Sequence, residues 1–101
     1  MALKKHPVVW TDTALNNKED ISSYLLENWS ERELGNFYQA LERRIQLISI
    51  NPELYGKVAG TDLTRRSVLN KRTIIFYEFR DGVVEILYLF NTYQNPDRLE
   101  F

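Results

Sequence analysis

The chain has 101 residues, 44% of them hydrophobic and 27% charged, which predicts one globular domain spanning residues 1–101. It contains no cysteine, which excludes disulfides, thiolate metal ligands and a cysteine nucleophile. The N-terminal segment is too polar and too short for a signal peptide, and no apolar run approaches the ~18 residues of a membrane span. We therefore expect a cytoplasmic protein without membrane contact.

The formal net charge is −1, which does not indicate a general nucleic-acid binder. The charge is unevenly distributed, because residues 57–80 carry a net +4 and residues 1–56 carry a net −2. A local basic patch can attract an anionic partner even on a nearly neutral protein. Alternatively, these basic side chains simply face solvent at strand edges and hairpin turns. The sequence leaves both interpretations open.

The first elements in chain order are a strand and a helix. Val8, Val9 and Trp10 form a short β-branched and aromatic run that is typical of a strand. Thr11–Thr13 then offer side-chain oxygens that can cap the N-terminus of a helix. The apolar face of this helix comprises Ala14, Ile21, Tyr24 and Leu25, with Trp29 at its end.

A second helix is predicted after Ser30, because Ser30 and Glu33 have the spacing of a capping box. Its apolar residues recur every three or four positions, which is the strongest periodicity in the chain. They are Leu34, Phe37, Tyr38, Leu41, Ile45 and Ile48. Asn51-Pro52 ends the helix, since a residue before proline avoids the helical region. Almost no linker separates the two helices, so we expect an antiparallel hairpin.

The second half predicts a loop over 53–63 and then three strands, over 64–69, 73–79 and 83–90. Asn70-Lys71 and Asp81-Gly82 supply the turns, and Asp-Gly is a strong hairpin signal. A polar loop over 91–96 follows. Because the helical hairpin must bury its one apolar stripe, we predict an α+β fold. In it the N-terminal strand joins a mainly antiparallel four-stranded sheet, and the hairpin packs on one face. The predicted core joins Leu34, Phe37, Leu41, Ile45 and Ile48 to the sheet residues Ile75, Tyr77, Ile86 and Tyr88 or their neighbours.

An ordered set of landmark residues runs through about nine tenths of the chain. They are Val9-Trp10-Thr11, Ala14, Ile21, Tyr24-Leu25, Trp29-Ser30, Phe37, Leu41, Ile45, Ile48, Asn51-Pro52, residues 65–69, Ile75, Tyr77-Glu78, Ile86-Leu87 and the ending Phe90-Asn91-x-x-Gln94-Asn95-Pro96. This set resembles the RelE/ParE superfamily of bacterial type II toxin–antitoxin systems. The ending is most similar to the ParE-like, or plasmid stabilization, branch.

The resemblance implies a growth-inhibiting toxin that a cognate antitoxin wraps and holds inactive. Operator DNA is then contacted only through the antitoxin, and no cofactor is implied. RelE-type members cleave mRNA on the ribosome, whereas ParE-type members poison DNA gyrase. The acidic residues show no metal-ligand spacing, so we expect no metal site.

The RelE-type branch requires catalytic residues. RNA cleavage by 2′-hydroxyl attack needs a base, an acid and cations that stabilise the phosphorane. The resemblance to RelE-type enzymes would place an arginine three residues before Tyr77, and that position holds Ile74. Their basic segment with a catalytic tyrosine corresponds to residues 91–96, which contain Tyr93 but no Lys or Arg.

We therefore predict a ParE-like inhibitor that acts by binding its target, which is DNA gyrase in that branch. The alternative is a RelE-like, ribosome-dependent mRNA endoribonuclease with Arg65, Arg66 and Tyr93 as catalytic candidates. A third hypothesis is that the chain is a former toxin, inactivated by genetic drift, which survives as an antitoxin-binding or repressor component.

Seven residues are candidates for contacting the target or the antitoxin. They are Arg65, Arg66, Arg72, Tyr77, Tyr93, Gln94 and Asn95. Arg65 and Arg66 are adjacent in a strand and point to opposite faces, so at most one of them belongs to any one site. The alternative for this pair is a salt bridge to a helix carboxylate, and for Tyr77 it is packing within the sheet. Trp10 and Trp29 are expected in the core.

Overall fold

The computed structural model describes residues 4–92. Its elements are β1 (Val8–Trp10), α1 (Asp12–Asn28), α2 (Glu31–Ile50), β2 (Thr64–Asn70), β3 (Thr73–Arg80) and β4 (Val83–Asn91). The predicted order of elements is confirmed, and the last three strands agree with the predicted bounds to within one residue. Within residues 4–92, neither helix has the length and apolar character needed to cross a membrane.

Both helices begin at the predicted caps. The Thr11 hydroxyl accepts from the Ala14 N–H at 3.0 Å, and the Ser30 hydroxyl accepts from the Glu33 N–H at 3.1 Å. These bonds satisfy backbone donors that have no partner inside a helix. Helix α2 ends at Ile50, two residues before Pro52, as the steric restriction before proline requires.

The four strands form one sheet in the order β1-β4-β3-β2. Strand β1 pairs in parallel with β4, and the other two pairs are antiparallel, so the predicted mainly antiparallel sheet is confirmed. Asp81 and Gly82 both have positive φ, at 54° and 76°. This is the backbone that a two-residue hairpin favours, and it explains the Asp-Gly pair between β3 and β4.

The core lies between the helical hairpin and one face of the sheet, which we call the inner face. It comprises Ala14, Ile21, Leu25, Phe37, Leu41, Ile48, Ile75, Tyr77, Val84, Ile86 and Leu89, with Leu34 and Ile45 partly buried against it. The predicted packing of the α2 stripe on Ile75, Tyr77 and Ile86 is therefore confirmed.

Two predicted core residues lie elsewhere. An irregularity in the register between β3 and β4 pairs Phe76 with Tyr88 and Tyr77 with Ile86, so β4 has one extra residue. This bulge reverses the alternation, and Tyr88 lies on the outer face, 38% exposed and stacked on Phe76 at 4.6 Å. Trp29 is 55% exposed, because it caps α1 at the turn between the helices.

Replacing Leu41 by Ala should lower the free energy of unfolding by about 2–5 kcal/mol, because it removes a buried side chain and leaves a cavity under α2. Urea denaturation measures the change. Leu47→Ala is the matched control, since Leu47 lies in the same helix and is exposed. A similar loss in both variants would contradict the burial of this stripe.

Candidate functional site

Arg65 lies on the inner face, opposite Tyr77, and its side chain is 14% exposed. Its Nη1 donates to the carbonyl oxygens of Tyr55 at 2.7 Å and Glu53 at 3.4 Å. The salt bridge of Arg65 is to Glu53, with Nη2 3.9 Å from the carboxylate. Glu53 lies after α2, so the predicted partner on a helix is wrong. Glu53 is 72% exposed, so this ion pair adds little stability. The main action of Arg65 is to hold the 53–55 segment against the sheet.

Arg66 lies on the outer face, as the strand alternation predicts. It pairs with Phe76, which in turn pairs with Tyr88, so the three residues form one row across β2, β3 and β4. The Arg66 side chain is half-buried, and its backbone N–H donates to the Gly56 carbonyl at 3.1 Å. The structure therefore combines a cationic side chain with a stacked aromatic pair on the face that the helices do not cover.

Tyr77 is fully buried, and its hydroxyl donates to the Pro52 carbonyl at 2.8 Å. Burial raises the pKa of this hydroxyl to about 12, although the nearby Arg65 guanidinium acts to lower it. The hydroxyl is therefore neutral at ordinary pH. This burial corrects the expectation that Tyr77 contacts a partner, because the side chain does not reach the surface.

Arg72 lies at the turn between β2 and β3. Its N–H donates to Asn70 Oδ1 at 2.8 Å, and its carbonyl accepts from the Thr92 N–H at 2.9 Å. This bond places Arg72 beside the end of β4. The other predicted contact residues, Tyr93, Gln94 and Asn95, lie outside the described residues.

Ile74 occupies the position at which the RelE-type resemblance would require an arginine. It is 4% exposed and lies between Val68 and Phe90 on the outer face. An apolar side chain in this row cannot stabilise the charge of a phosphorane. Among residues 4–92, no group of three or more His, Asp or Glu side chains is placed to hold a metal ion.

A recess of about 420 Å³ lies between the helices and β1. Trp10, Lys18 and Tyr38 meet there, with Lys18 Nζ 5.4 Å from the Trp10 ring and 5.5 Å from the Tyr38 ring. Sequence reasoning missed this cation–π cluster, because the three residues come from three different elements and no local spacing relates them.

Arg44 is a second residue that sequence reasoning missed. Its Nη1 donates to Ser67 Oγ at 2.7 Å and to the Val68 carbonyl at 2.8 Å, and its guanidinium lies 5.4 Å from the Tyr55 ring. Arg44 thereby joins α2 to the edge strand β2. Its position beside the apolar stripe of α2 is the one signal that could have indicated a contact with the sheet.

Comparison with known families gives a match over residues 8–96. The family is described as the ParE toxin of the type II toxin–antitoxin system, parDE. A search of curated proteins by sequence found no match.

Several solved structures share the fold. A chain of the chromosomal ParDE toxin–antitoxin system from P. aeruginosa superposes with a TM-score of 0.72 and 11% identity, over 86% of this chain and 96% of that one. A chain of the E. coli DinJ-YafQ toxin–antitoxin complex gives 0.61 and 9% identity, over 88% and 94%. A copper-bound mutant toxin from Helicobacter pylori gives 0.53 and 10% identity, over 93% and 99%. At these identities the likeness concerns the fold.

The buried Tyr77 hydroxyl gives a pH-dependent prediction. Because its pKa is raised to about 12, its contribution to stability is complete below the ordinary value of 10.0 and is lost as the pH rises towards 12. The full loss is about 2–3 kcal/mol. Tyr77→Phe should lower stability near neutral pH by about 1–3 kcal/mol, since a buried carbonyl loses its donor. It should also make the decline above pH 10 shallower.

Urea denaturation at a series of pH values measures both effects. Tyr88→Phe is the matched control, because it removes a hydroxyl from a more exposed site on the outer face and should retain the steep decline. Identical pH profiles for the wild-type protein and Tyr77→Phe would refute the assignment.

Proposed function

Because the chain belongs to the ParE toxin family of type II toxin–antitoxin systems, we propose that it arrests growth by binding DNA gyrase and that a cognate antitoxin neutralises it. The observation that carries this proposal is the family match, which extends from β1 to beyond the end of β4. The fold shared with a chain of a ParDE system supports it. The protein then acts in the cytoplasm, and operator DNA is contacted through the antitoxin.

The chemistry of the described residues favours target binding over RNA cleavage. Of the catalytic candidates, Arg65 is engaged in holding the 53–55 segment. The position at which a RelE-type enzyme would need an arginine holds Ile74, which is apolar and buried. Arg66 lies on the outer face, away from Arg65. A nuclease built from these residues would therefore lack a cluster of cations around one phosphate. The RelE-like alternative depends on Tyr93, with cations from elsewhere.

Within residues 4–92, the residues proposed to contact the target or the antitoxin are those of the predicted set whose side chains reach the surface. Tyr77 is excluded because it is buried, and Arg65 contributes mainly to the fold. Two described candidates for contacts with the target or the antitoxin remain. They are Arg66, with the Phe76–Tyr88 stack beside it, and Arg72, at the β2–β3 turn beside the end of β4. Aromatic and arginine side chains are enriched at the residues that dominate binding interfaces. Tyr93, Gln94 and Asn95 complete the proposed set.

The purified chain should inhibit supercoiling by DNA gyrase and raise the yield of cleaved DNA complexes. Arg66→Ala should weaken inhibition by about tenfold, a typical effect at an arginine that anchors an interface. Arg80→Ala is the matched control, because Arg80 is an exposed arginine paired with Glu78 in the same sheet. Inhibition of growth without any effect on gyrase would contradict the proposed target.

Translating ribosomes provide the test of the RelE-like alternative. A defined mRNA should remain intact when the purified chain is added, because the loss of even one preorganised donor typically costs about 100–1,000-fold in rate. Tyr93→Phe and Arg65→Ala are the variants to compare. Robust cleavage that both substitutions abolish would overturn the gyrase proposal and establish a nuclease.

A further inference from the structure

Strand β1 ends well before its neighbour β4 does. The last paired residues are Trp10 and Ile86, and the chain then enters α1. Strand β4 continues to Asn91. From Leu87 onward, the side of β4 that faced β1 therefore has no neighbouring strand, and its backbone groups need other partners.

Thr11 binds two consecutive carbonyl groups of β4. Its backbone N–H donates to the Ile86 carbonyl at 3.1 Å, and its hydroxyl donates to the Leu87 carbonyl at 2.6 Å. Successive carbonyls of a regular strand point to opposite sides, so two that meet the same residue mark an irregularity. It is the bulge that the register between β3 and β4 also shows. Thr11 therefore holds this bulge in place.

Asn17 binds the backbone of β4 on the other side of Tyr88. Its Oδ1 accepts from the Leu89 N–H at 3.0 Å. Leu89 is buried, and a buried N–H without a partner is costly. The N-cap and the second turn of α1 thus supply the hydrogen bonds that a longer β1 would have made.

The bulge decides the face on which Tyr88 lies. Ile86 and Leu89 are both in the core, although residues three apart in a regular strand point to opposite faces. The extra residue between them turns Tyr88 outward, where its ring stacks on Phe76 at 4.6 Å beside Arg66. Without the bulge, Tyr88 would point inward and the outer face would lose the exposed member of this stack.

We propose that Thr11 and Asn17 are positioning residues for the binding of gyrase, because their hydrogen bonds to β4 fix the bulge and hold Tyr88 on the outer face. They act through the backbone on either side of Tyr88. A side chain that is already fixed loses less conformational freedom when it binds a partner. The inference rests on the proposed function, in which Arg66 and the stack beside it contact the target.

Asn17 is the residue to test first. Thr11 also caps α1 by accepting from the Ala14 N–H at 3.0 Å, so its replacement would change helix stability as well as the bulge. Asn17→Leu removes the acceptor with a side chain of similar size, and Asn17→Ala removes it without adding apolar bulk. Asn17→Asp retains an oxygen acceptor. Asn16→Leu is the matched control, because Asn16 is the exposed neighbour in the same helix.

Inhibition of gyrase supercoiling by the purified full chain is measured for each variant. Asn17→Leu and Asn17→Ala should inhibit about three- to tenfold more weakly than wild type, the factor that the loss of one hydrogen bond gives. Asn17→Asp and Asn16→Leu should stay within about twofold of wild type. Tyr88→Ala should also weaken inhibition, and adding Asn17→Leu to it should cause no further loss, because Asn17 acts through Tyr88. Additive losses in folded variants would show a general structural role and overturn the inference.

Hydrogen exchange of the isolated protein tests the hydrogen bond itself. The Leu89 amide should exchange about tenfold faster in Asn17→Leu than in wild type, and unchanged exchange would refute the inference. If wild type inhibits gyrase and Asn17→Leu inhibits it equally, although this amide exchanges faster, the inference is wrong and the proposed function stands. If wild type itself does not inhibit gyrase, the proposed function fails and the inference fails with it.

Discussion

Burial of the apolar stripe of the helical hairpin against β3 and β4 is the interaction on which the rest of the structure depends. The hairpin has one such stripe, so it covers one face of the sheet and leaves the other to side-chain packing within the sheet. Tyr77 lies in this core and carries a second constraint, because its hydroxyl binds the Pro52 carbonyl just after α2. The end of α2 is thereby tied to the centre of the sheet.

This arrangement divides the basic side chains of β2 according to the face on which they lie. Arg65, on the inner face, meets the segment that follows α2 and holds it with hydrogen bonds to backbone carbonyls. Arg66, one residue later, lies beside Phe76 on the outer face. Two adjacent arginines with the same charge therefore differ in the groups that they can contact. Of the two, only Arg66 lies on the face that the helices leave uncovered.

The edge of the sheet has a similar division along its length. Residues 56–58 pair with β2 only as far as Arg66, because the loop then turns away towards α2. Beyond that point the Arg44 guanidinium takes the place of a neighbouring strand and binds the Val68 carbonyl. The edge of the sheet is therefore covered by a loop up to Arg66 and by one side chain at Val68.

The sequence alone was sufficient to predict those features that depend on residues close together in the chain. Capping by Thr11 and Ser30, the end of α2 before Pro52 and the Asp81-Gly82 turn follow from local backbone chemistry. The periodicity of α2 predicted its buried face for the same reason, and the family resemblance followed from the order of such features. The outward position of Tyr88, the hydrogen bond from the Tyr77 hydroxyl to Pro52 and the contact of Arg44 with the edge strand β2 were decided only by the tertiary structure. A bulge that shifts β4 by one residue, and a guanidinium that meets residues more than twenty positions away, depend on contacts between distant segments, and a pattern of near neighbours contains no information about them.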